Sequence, residues 1–287
     1  MRLGIIGGGR AAWAFGSAWR AAGLPFSGIA LRAGSASPAG RLLSLEVMTV
    51  QELLERSSVV LVAVSDRAIP AIAAEVSGLS AQPAIFHCSG SLPGSVFGSR
   101  PNAFSLHPFH ALPAVGEPVT LRDTLMVYEG PDSAVVYGRR IVKSCGGIFG
   151  RVSAEQKPRY HAAAVFAANY VAAMLEMSEE ILQSVVLDIP AADLSPTTIL
   201  RRAIVDLAAS ASTNWLHQRG AAAFTGPAAR GERQVVAGHL AVLGDLPHVE
   251  RIYRQLAMEI LRRTAGTSAA DGDDPLAKWL VDSSFLP

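Results

Sequence analysis

The chain has 287 residues, of which 50% are hydrophobic and 17% are charged. This length accommodates one large domain or two ordinary ones with a well-buried core. The formal net charge of +1 argues against a nucleic-acid surface and against binding to an anionic membrane.

Cysteine and histidine usage excludes further classes of protein. Cys88 and Cys145 form no CxxC pair, so neither a disulfide framework nor a zinc site is predicted, and a reducing cytoplasm is expected. The histidines are not at metal-ligand spacing with carboxylates or thiols. No apolar run reaches the ~18–20 residues of a membrane span, and three consecutive glycines interrupt the apolar N-terminus, unlike a signal peptide.

Short apolar runs alternate with helical stretches through the first half of the chain. The predicted strands are Arg2–Ile6, Ser27–Leu31, Val59–Val64, Ala84–His87, Ala103–Leu106 and Thr124–Val127. The predicted helices are Ala11–Ala22, Val50–Arg56, Ile69–Val76 and Ser133–Cys145. Thr49, with Glu52 three residues later, predicts a capping box. This alternation indicates βαβ units and a mostly parallel sheet, which is an α/β Rossmann-like fold.

The second half of the chain has no comparable strand pattern. Its predicted helices are Ala162–Val186, Pro196–His217, Glu232–Leu243 and Leu246–Arg263. We therefore expect a Rossmann domain over residues 1–150 and an all-α substrate and dimerisation domain over 151–287. The segment Ala162–Val186 is apolar almost all round, which predicts burial within this domain or against a second copy in a homodimer. Thr264–Asp274 is predicted to be a linker, and Pro275–Pro287 to dock on a neighbouring surface.

A glycine pattern follows the first predicted strand. Gly7-x-Gly9-x-x-Ala12 lies between that strand and a helix, as in a dinucleotide-binding turn. Gly7 permits the tight turn, Gly9 permits close approach of a pyrophosphate, and Ala12 keeps the helix near the strand. The free N–H groups of the helix start, including that of Ala11, then bind phosphate, with Arg10 as a nearby cation.

The end of the second strand bears on the cofactor. A ribose 2′-hydroxyl is usually held there by an acid, but the chain has Arg32 and no acid. Arg32, assisted by Ser35, favours NADP over NAD. The alternative is a solvated surface arginine.

Polar residues follow the next two strands. Ser65 and Asp66 come after Val59–Val64, at the edge where ligands bind in open α/β sheets. Both are expected to contact the cofactor, although the alternative that Asp66 caps the following helix is favoured over catalysis. Ser89 lies in His87-Cys88-Ser89-Gly90-Ser91 and is expected to contact the nicotinamide ribose or the substrate. Cys88 is expected to be a small core residue.

Two further segments supply candidates for acid–base chemistry. His107 precedes Pro108, which restricts the local backbone, and an imidazole suits proton exchange with a substrate oxygen. His110 is a weaker candidate. Lys157 and His161 are four residues apart and share a helix face, with Tyr160 between them at the polar end of the apolar helix.

The start of that helix and two polar residues leave alternatives open. Pro158 makes Lys157 a possible N-cap, whereas Ser153 with Gln156 offers an earlier capping box. Asn169 is expected to hydrogen-bond either to structure or to substrate. Arg230, in a Gly/Pro turn, either binds an anionic substrate group or is exposed to solvent.

Five motifs carry a family resemblance that covers most of the chain, to about residue 265. They are GIIGGGRA, HCSGS, SLHP, KPRYHAAAVFAANY and TGPAARGERQVVAGHL. The chain resembles a bacterial family of Rossmann-like NADP oxidoreductases with a helical C-terminal domain of unknown function. It is also similar to pyrroline-5-carboxylate reductase, to deazaflavin-dependent NADP reductase and to the 6-phosphogluconate dehydrogenase superfamily.

The resemblance suggests two analogies for the site. β-Hydroxyacid and ketopantoate dehydrogenases use a helical Lys followed four residues later by Asn. Lys157 matches the Lys, but position 161 is His. Prephenate dehydrogenases carry a His-Pro pair after a strand, which resembles His107-Pro108.

These observations lead to a hypothesis of an NADP-dependent oxidoreductase. Hydride would pass between the nicotinamide and a small, carboxylate-bearing substrate in an interdomain cleft. His107 would be the general acid/base, Lys157 or His161 would polarise the substrate oxygen, and Arg230 would hold the carboxylate. The alternatives are a non-catalytic dinucleotide-binding sensor or assembly protein, and a deazaflavin-dependent reductase.

Overall fold

The structure is a computed structural model that describes residues 1–32, 37–187, 194–264 and 275–282. The chain divides into two compact units, Met1–Tyr170 and Val171–Pro287. The sequence placed the domain boundary near Gly150–Ser153, about twenty residues earlier than this division. Ser35, and the predicted linker beyond Thr264, lie outside the described residues.

A seven-stranded sheet forms the centre of the first unit. Its strands are β1 (Leu3–Ile6), β2 (Phe26–Ala30), β3 (Val59–Val62), β4 (Ala84–His87), β5 (Ala103–Pro108), β6 (Leu125–Glu129) and β7 (Ile148–Arg151). The strand order is β2-β1-β3-β4-β5-β6-β7. All neighbouring pairs are parallel except β5 and β6, which are antiparallel. The predicted α/β fold with a mostly parallel sheet is therefore confirmed, although β7 was not predicted.

Helices lie between several of these strands and after the last one. They are α1 (Arg10–Ala21), α2 (Pro38–Leu42), α3 (Val50–Arg56), α4 (Ile69–Ser77), α5 (Val135–Ser144) and α6 (Lys157–Val165), which continues as a π-helical segment, Phe166–Tyr170. The capping box of α3 is confirmed, because Thr49 Oγ1 accepts from the Glu52 N–H and the Glu52 carboxylate accepts from the Thr49 N–H. Helix α2 was not predicted.

Alternation along the buried strands explains why both faces of the sheet are covered. Val59 and Leu61 of β3 belong to one core cluster, and Val60 and Val62 belong to the other. Because successive side chains point to opposite faces, an entirely apolar strand needs packing on both sides. The sheet is thereby buried on both faces, and its carboxyl edge presents the loops that follow β1, β3, β4 and β5.

The segment predicted as one long buried helix differs from that expectation. Its helix starts earlier, at Lys157, is interrupted by the π-helical segment, and ends with α7 (Val171–Gln183). Burial within the single chain is wrong, because Phe166 is 67% and Tyr170 49% exposed. The other predicted environment, burial against a second copy of the chain, stays a prediction.

The second unit is helical in its described parts. It contains α7, α8 (Pro196–His217), α9 (Arg233–Val242), α10 (Pro247–Thr264) and α11 (Pro275–Asp282). Leu276 and Leu280 of α11 are buried with Val236 of α9 and Leu261 of α10 in one small core, so the predicted docking of the C-terminal segment is confirmed for its described part. None of the described helices is long and apolar enough to cross a membrane.

Candidate functional site

The turn after β1 has the geometry that its glycines predict. Gly7 has φ +97°, and an added Cβ would lie 2.4 Å from the Ala63 carbonyl oxygen. Its N–H donates to the Ala30 carbonyl at 2.9 Å, which ties the turn to the end of β2. A side chain at this position would be strained by both the backbone angle and the lack of space. Gly7 is therefore required by the fold itself.

Gly9 differs from Gly7, because nothing lies within 4 Å of an added Cβ. It precedes α1, whose first residues Arg10, Ala11 and Ala12 have N–H groups without acceptors inside the helix. Ala12 is fully buried and holds the helix against the sheet. Open space beside free N–H groups at a helix start suits a phosphate group. The residues present therefore fit a dinucleotide, and Gly9 leaves free the space that its pyrophosphate would need.

A cavity of about 610 Å³ lies beside this turn. Gly7 and Gly8 line one part of it, and Leu31 and Arg32 at the end of β2 line another. The volume is within the ~300–1,000 Å³ typical of small-molecule sites. Arg32 is exposed, and Leu31 and Arg32, the described residues that directly follow β2, include no acid. The cavity therefore joins the glycine turn to Arg32.

Asp66 follows β3 and binds the loop after β4. Ser89 Oγ donates to Asp66 Oδ2 at 2.7 Å, and Ser91 Oγ donates to the same oxygen at 3.1 Å. The expectation that Asp66 caps the following helix is wrong, because neither the 3₁₀ turn Asp66–Ala68 nor α4 has a side-chain cap bond. The Asp66 carboxylate therefore accepts hydrogen bonds from two serine hydroxyls of the loop and not from the backbone N–H groups at a helix start. Ser65 is exposed beside it.

His87, at the end of β4, is a structural residue. It is fully buried, its Nε2 lies 3.2 Å from the Pro93 carbonyl oxygen, and the Ser89 N–H donates to its Nδ1 at 3.1 Å. Burial lowers the pKa of His87 to about 4, so the ring is neutral with its proton on Nε2. Cys88 packs against the sheet core as predicted, and burial raises the pKa of its thiol.

His107, near the end of β5, pairs with Tyr160 on α6. Its Nδ1 lies 2.7 Å from the Tyr160 hydroxyl oxygen. Burial, followed by the nearby Lys157 charge, lowers the pKa of His107 to about 4, and burial raises the pKa of Tyr160. Both groups are therefore neutral near pH 7. Because β4 and β5 are parallel, the pair lies at the same sheet edge as the Asp66 cluster.

Lys157 is almost completely buried, with 1% of the residue exposed. Its Nζ donates to Ser105 Oγ at 2.7 Å, and that hydroxyl lies 3.4 Å from Glu129 Oε2. Burial lowers the pKa of Lys157 to about 8, although Glu129 opposes this shift. Glu129 also accepts from the Gly94 N–H at 2.7 Å. The ammonium is thus enclosed by polar groups beneath the site.

His161 lies between His107 and the loop after β4. The ring centroids of His107 and His161 are 5.9 Å apart. At Gly90, an added Cβ would lie 2.2 Å from Cδ2 of His161, so this loop has room for the imidazole only because residue 90 is glycine. The residues of the two analogies drawn from the sequence, His107 of the His-Pro pair and the Lys157/His161 pair, therefore lie in one part of the structure.

The helix start and two other predicted residues are placed as follows. Helix α6 begins at Lys157 with Gln156 as its N-cap, so Lys157 is not the cap. Ser153 and Gln156 make the predicted capping-box bonds. Asn169 is exposed in the π-helical segment. Arg230 is bound by Glu232 through two hydrogen bonds of 2.7 and 2.9 Å, so a carboxylate from its own turn already occupies the guanidinium.

Several groups in the site were not predicted as functional. They are Tyr160, Ser91, Ser105 and Glu129. Tyr160 was noted only for its position beside Lys157, and its contact with His107 spans 53 residues. The described residues contain no group of three or more His, Cys, Asp or Glu side chains that could hold a metal ion.

Comparison with known proteins supports the family resemblance and the fold. Residues 124–260 match the family model described as a domain of unknown function (DUF2520). Together with the neighbours below, the match confirms the resemblance predicted from the motifs. No curated protein matches the sequence.

Solved structures resemble the chain over nearly its whole length. A Bacteroides fragilis protein, provisionally assigned as an NADP oxidoreductase, has a TM-score of 0.73 at 21% identity, covering 91% of this chain and 98% of its own. A Thermotoga maritima protein has a TM-score of 0.64 at 22% identity, covering 93% and 99%. Plasmodium falciparum pyrroline carboxylate reductase with NADP bound has a TM-score of 0.58 at 13% identity, covering 95% and 98%. At these identities the likeness establishes the fold.

Proposed function

We propose that this protein is an NADP-dependent oxidoreductase that transfers hydride between the nicotinamide and a small-molecule substrate. One observation carries the proposal: the glycine turn after β1 and the His107–Tyr160 pair near the end of β5 lie at the same carboxyl edge of one sheet. A phosphate-binding turn alone would suit any dinucleotide-binding protein. A proton-carrying pair at the same edge is what a dehydrogenase or reductase also needs.

Cofactor binding would use the turn and the cavity beside it. The free N–H groups at the start of α1 would hold the pyrophosphate where Gly9 leaves space. Arg32 would pair with a 2′-phosphate, which favours NADP over NAD, and Arg10 is a second cation near the phosphates. Ser65 and Asp66, at the end of β3, would lie toward the nicotinamide ribose. The NADP in the P. falciparum reductase supports this cofactor class for the same fold.

The bound nicotinamide would supply or accept the hydride, and this chain's own groups would handle the proton. A neutral imidazole has one N–H and one acceptor nitrogen. In the His107–Tyr160 pair, one proton is therefore shared between Nδ1 and the phenol oxygen. A second proton, on either His107 Nε2 or the phenol, remains for a substrate oxygen. The 2.7 Å contact allows the pair to exchange these positions as that second proton is given up or recovered.

Two neighbours would assist the pair without carrying its proton. His161, whose ring faces that of His107, would polarise the substrate oxygen. Lys157 would act through its charge, which helps to keep His107 neutral, because its ammonium is buried against Ser105. Ser89 would hold the loop on Asp66, beside the substrate. Arg230 is left out of the proposal, since Glu232 already binds it.

A panel of small ketones, aldehydes and 2-oxo acids, followed by NADPH oxidation, tests the proposal. With any substrate found, Tyr160→Phe and His107→Gln should each lower kcat/KM by about 100-fold. Tyr170→Phe, further along the same helical stretch, and His110→Gln, three residues after His107, are matched controls and should change little. Because the pKa of His107 is about 4, any ionisation of kcat near the ordinary histidine pKa of about 6.5 should be unchanged in His107→Gln.

The results also separate the alternatives. Tight NADPH binding with no turnover of any compound would favour the non-catalytic dinucleotide-binding protein. Hydride transfer only with a reduced deazaflavin present would favour the deazaflavin-dependent class. Equal losses in the test and control variants would remove the His107–Tyr160 pair from the mechanism.

A homodimer formed by the second unit is part of the proposal. On α8, Leu207, Trp215 and Leu216 are 74%, 69% and 70% exposed, and on α7 Val171 and Met174 are also exposed. A helix that exposes large apolar side chains on much of its surface usually contacts a partner. A second copy of the chain can cover both surfaces at once through a two-fold axis.

Sedimentation equilibrium tests the dimer. Wild-type protein should sediment as a dimer, and Leu207→Glu with Leu216→Glu should shift it toward monomer. Leu42→Glu with Val136→Glu, which adds the same two charges at exposed apolar positions of the first unit, should leave the dimer intact. A monomeric wild type would contradict this part of the proposal.

A further inference from the structure

Phe109 is an aromatic residue beside the His107–Tyr160 pair, and the proposed function gives it no role. It directly follows β5, and its ring centroid lies 5.7 Å from that of Tyr160, with the two rings tilted by 46°. Side chains alternate along an extended strand, so Phe109 lies on the same face of β5 as His107. The residue is nevertheless 36% exposed. Part of its surface thus packs against Tyr160, and the rest is open beside the proton-carrying groups.

The backbone of Phe109 is held on both sides. Its N–H donates to the Leu125 carbonyl at 2.8 Å, which continues the pairing of β5 with β6 by one residue. Pro108, before it, is buried and has a restricted φ. The chain that follows is tied to α1, because Trp13 Nε1 donates to the Glu117 carbonyl oxygen at 2.8 Å. A ring on a backbone held in this way loses little conformational freedom when a ligand binds. Phe109 therefore presents a preorganised apolar surface.

We infer that Phe109 is a specificity-determining residue, which binds an apolar group carried by the substrate next to its reacting carbonyl. This inference rests on the proposed function and names the substrate class for it: carbonyl compounds with an aromatic or other bulky apolar substituent. The second ring that contacts His107 is that of His161, whose proposed role is at the substrate oxygen. His161 and Phe109 thus contact different parts of one substrate, the oxygen and the apolar group.

This role predicts a substrate preference. Three pairs of compounds differ only in an added benzyl group: acetone with 4-phenyl-2-butanone, acetaldehyde with 3-phenylpropanal, and pyruvate with 2-oxo-4-phenylbutanoate. For each class that the enzyme reduces, the wild type should have a kcat/KM at least about tenfold higher for the benzyl-bearing compound. Phe109→Ala should lower this ratio by about tenfold. The change should lie mainly in KM, because a contact with a group that does not react is the same in the ground state and the transition state.

Steady-state kinetics of NADPH oxidation with wild type, Phe109→Ala, Phe109→Leu and Val136→Ala tests the inference. Phe109→Leu keeps an apolar side chain at this position, so it decides the question even if the alanine variant fails to fold. Its ratio should fall about threefold, because the ring contact is lost and an apolar contact remains. Val136 is an exposed apolar residue of α5, and its truncation should leave the ratio unchanged.

The outcomes separate this inference from the proposed function. Equal kcat/KM for both members of each pair in the wild type, or an unchanged ratio in the Phe109 variants, would overturn the role of Phe109 while leaving the oxidoreductase intact. An equal loss of kcat for both members of a pair would show that Phe109 only positions Tyr160, which also overturns a role in specificity. Turnover of no carbonyl compound at all would instead overturn the proposed function, and the inference with it.

Discussion

Replacing Gly7 and Gly9 separately with alanine should affect different properties. Gly7→Ala should lower the stability of the fold, and Gly9→Ala should weaken the binding of NADPH. At Gly7, φ is +97° and an added Cβ would lie 2.4 Å from the Ala63 carbonyl oxygen. A left-handed backbone costs an L-residue ~1–2 kcal/mol, and the contact forces a shift of β3. We expect Gly7→Ala to lower the free energy of unfolding by ~2 kcal/mol or more.

Gly9→Ala should leave the fold nearly unchanged. Nothing lies within 4 Å of the added Cβ, and φ is −88°, so the alanine is not strained. The weaker N-cap and the reduced entropy of the unfolded chain oppose each other, which leaves the unfolding free energy within ~0.5 kcal/mol. The methyl group, however, takes the space proposed for the pyrophosphate. NADPH should therefore bind at least about tenfold more weakly, a loss of ~1.4 kcal/mol.

Urea unfolding followed by circular dichroism measures the first effect, and calorimetry with NADPH measures the second. Similar losses of stability in both variants would show that Gly9 is structural. NADPH binding by Gly9→Ala as tight as that of the wild type would show that the pyrophosphate does not use the space beside Gly9.

Three further predictions concern buried or capping groups. The pKa of His87 is about 4 when folded and about 6.5 when unfolded, so the unfolded state binds more protons between these values. His87 should then cost up to ~3 kcal/mol of urea stability as the pH drops through that window. His107, whose pKa is also about 4, adds its own loss, so the fall should be smaller but not absent in His87→Gln. Lys157 has a folded pKa of about 8 against about 10.4 unfolded. Lys157 therefore adds stability as the pH increases between these values, whereas the buried thiol of Cys88, whose pKa burial raises, has the opposite effect. The stability of the wild type relative to that of Lys157→Met should accordingly rise across this range. Thr49→Ala should cost ~1 kcal/mol in thermal or urea unfolding, because it removes the side chain that caps α3.

Local patterns in the sequence were enough to predict the centre of the fold. The run Val59–Val62 is wholly apolar, and Gly7 and Gly9 follow a strand directly, so both features depend only on neighbouring residues. Strand β7 was missed because its residues Ile148–Arg151 are partly exposed and include a glycine. Its strand conformation comes from pairing with β6, which the sequence does not display.

The site was harder to predict because its contacts join distant segments. Asp66 looked like a helix cap, but Ser89 and Ser91, more than twenty residues away, bind it instead. Tyr160 reaches His107 across 53 residues. In contrast, Glu232 lies only two residues from Arg230. This ion pair, which competes with any substrate carboxylate, is therefore one that the sequence alone could have predicted.

The central claim is that the first unit binds NADP through the glycine turn and Arg32. Calorimetric titration of NADPH and NADH into wild type and Arg32→Gln tests it most directly. The wild type should bind NADPH more tightly than NADH. In Arg32→Gln the ratio of the NADH Kd to the NADPH Kd should fall by about tenfold or more, because the 2′-phosphate has lost its cationic partner. Absence of binding to either dinucleotide up to ~1 mM, the upper end of ordinary enzyme affinities, would contradict the account.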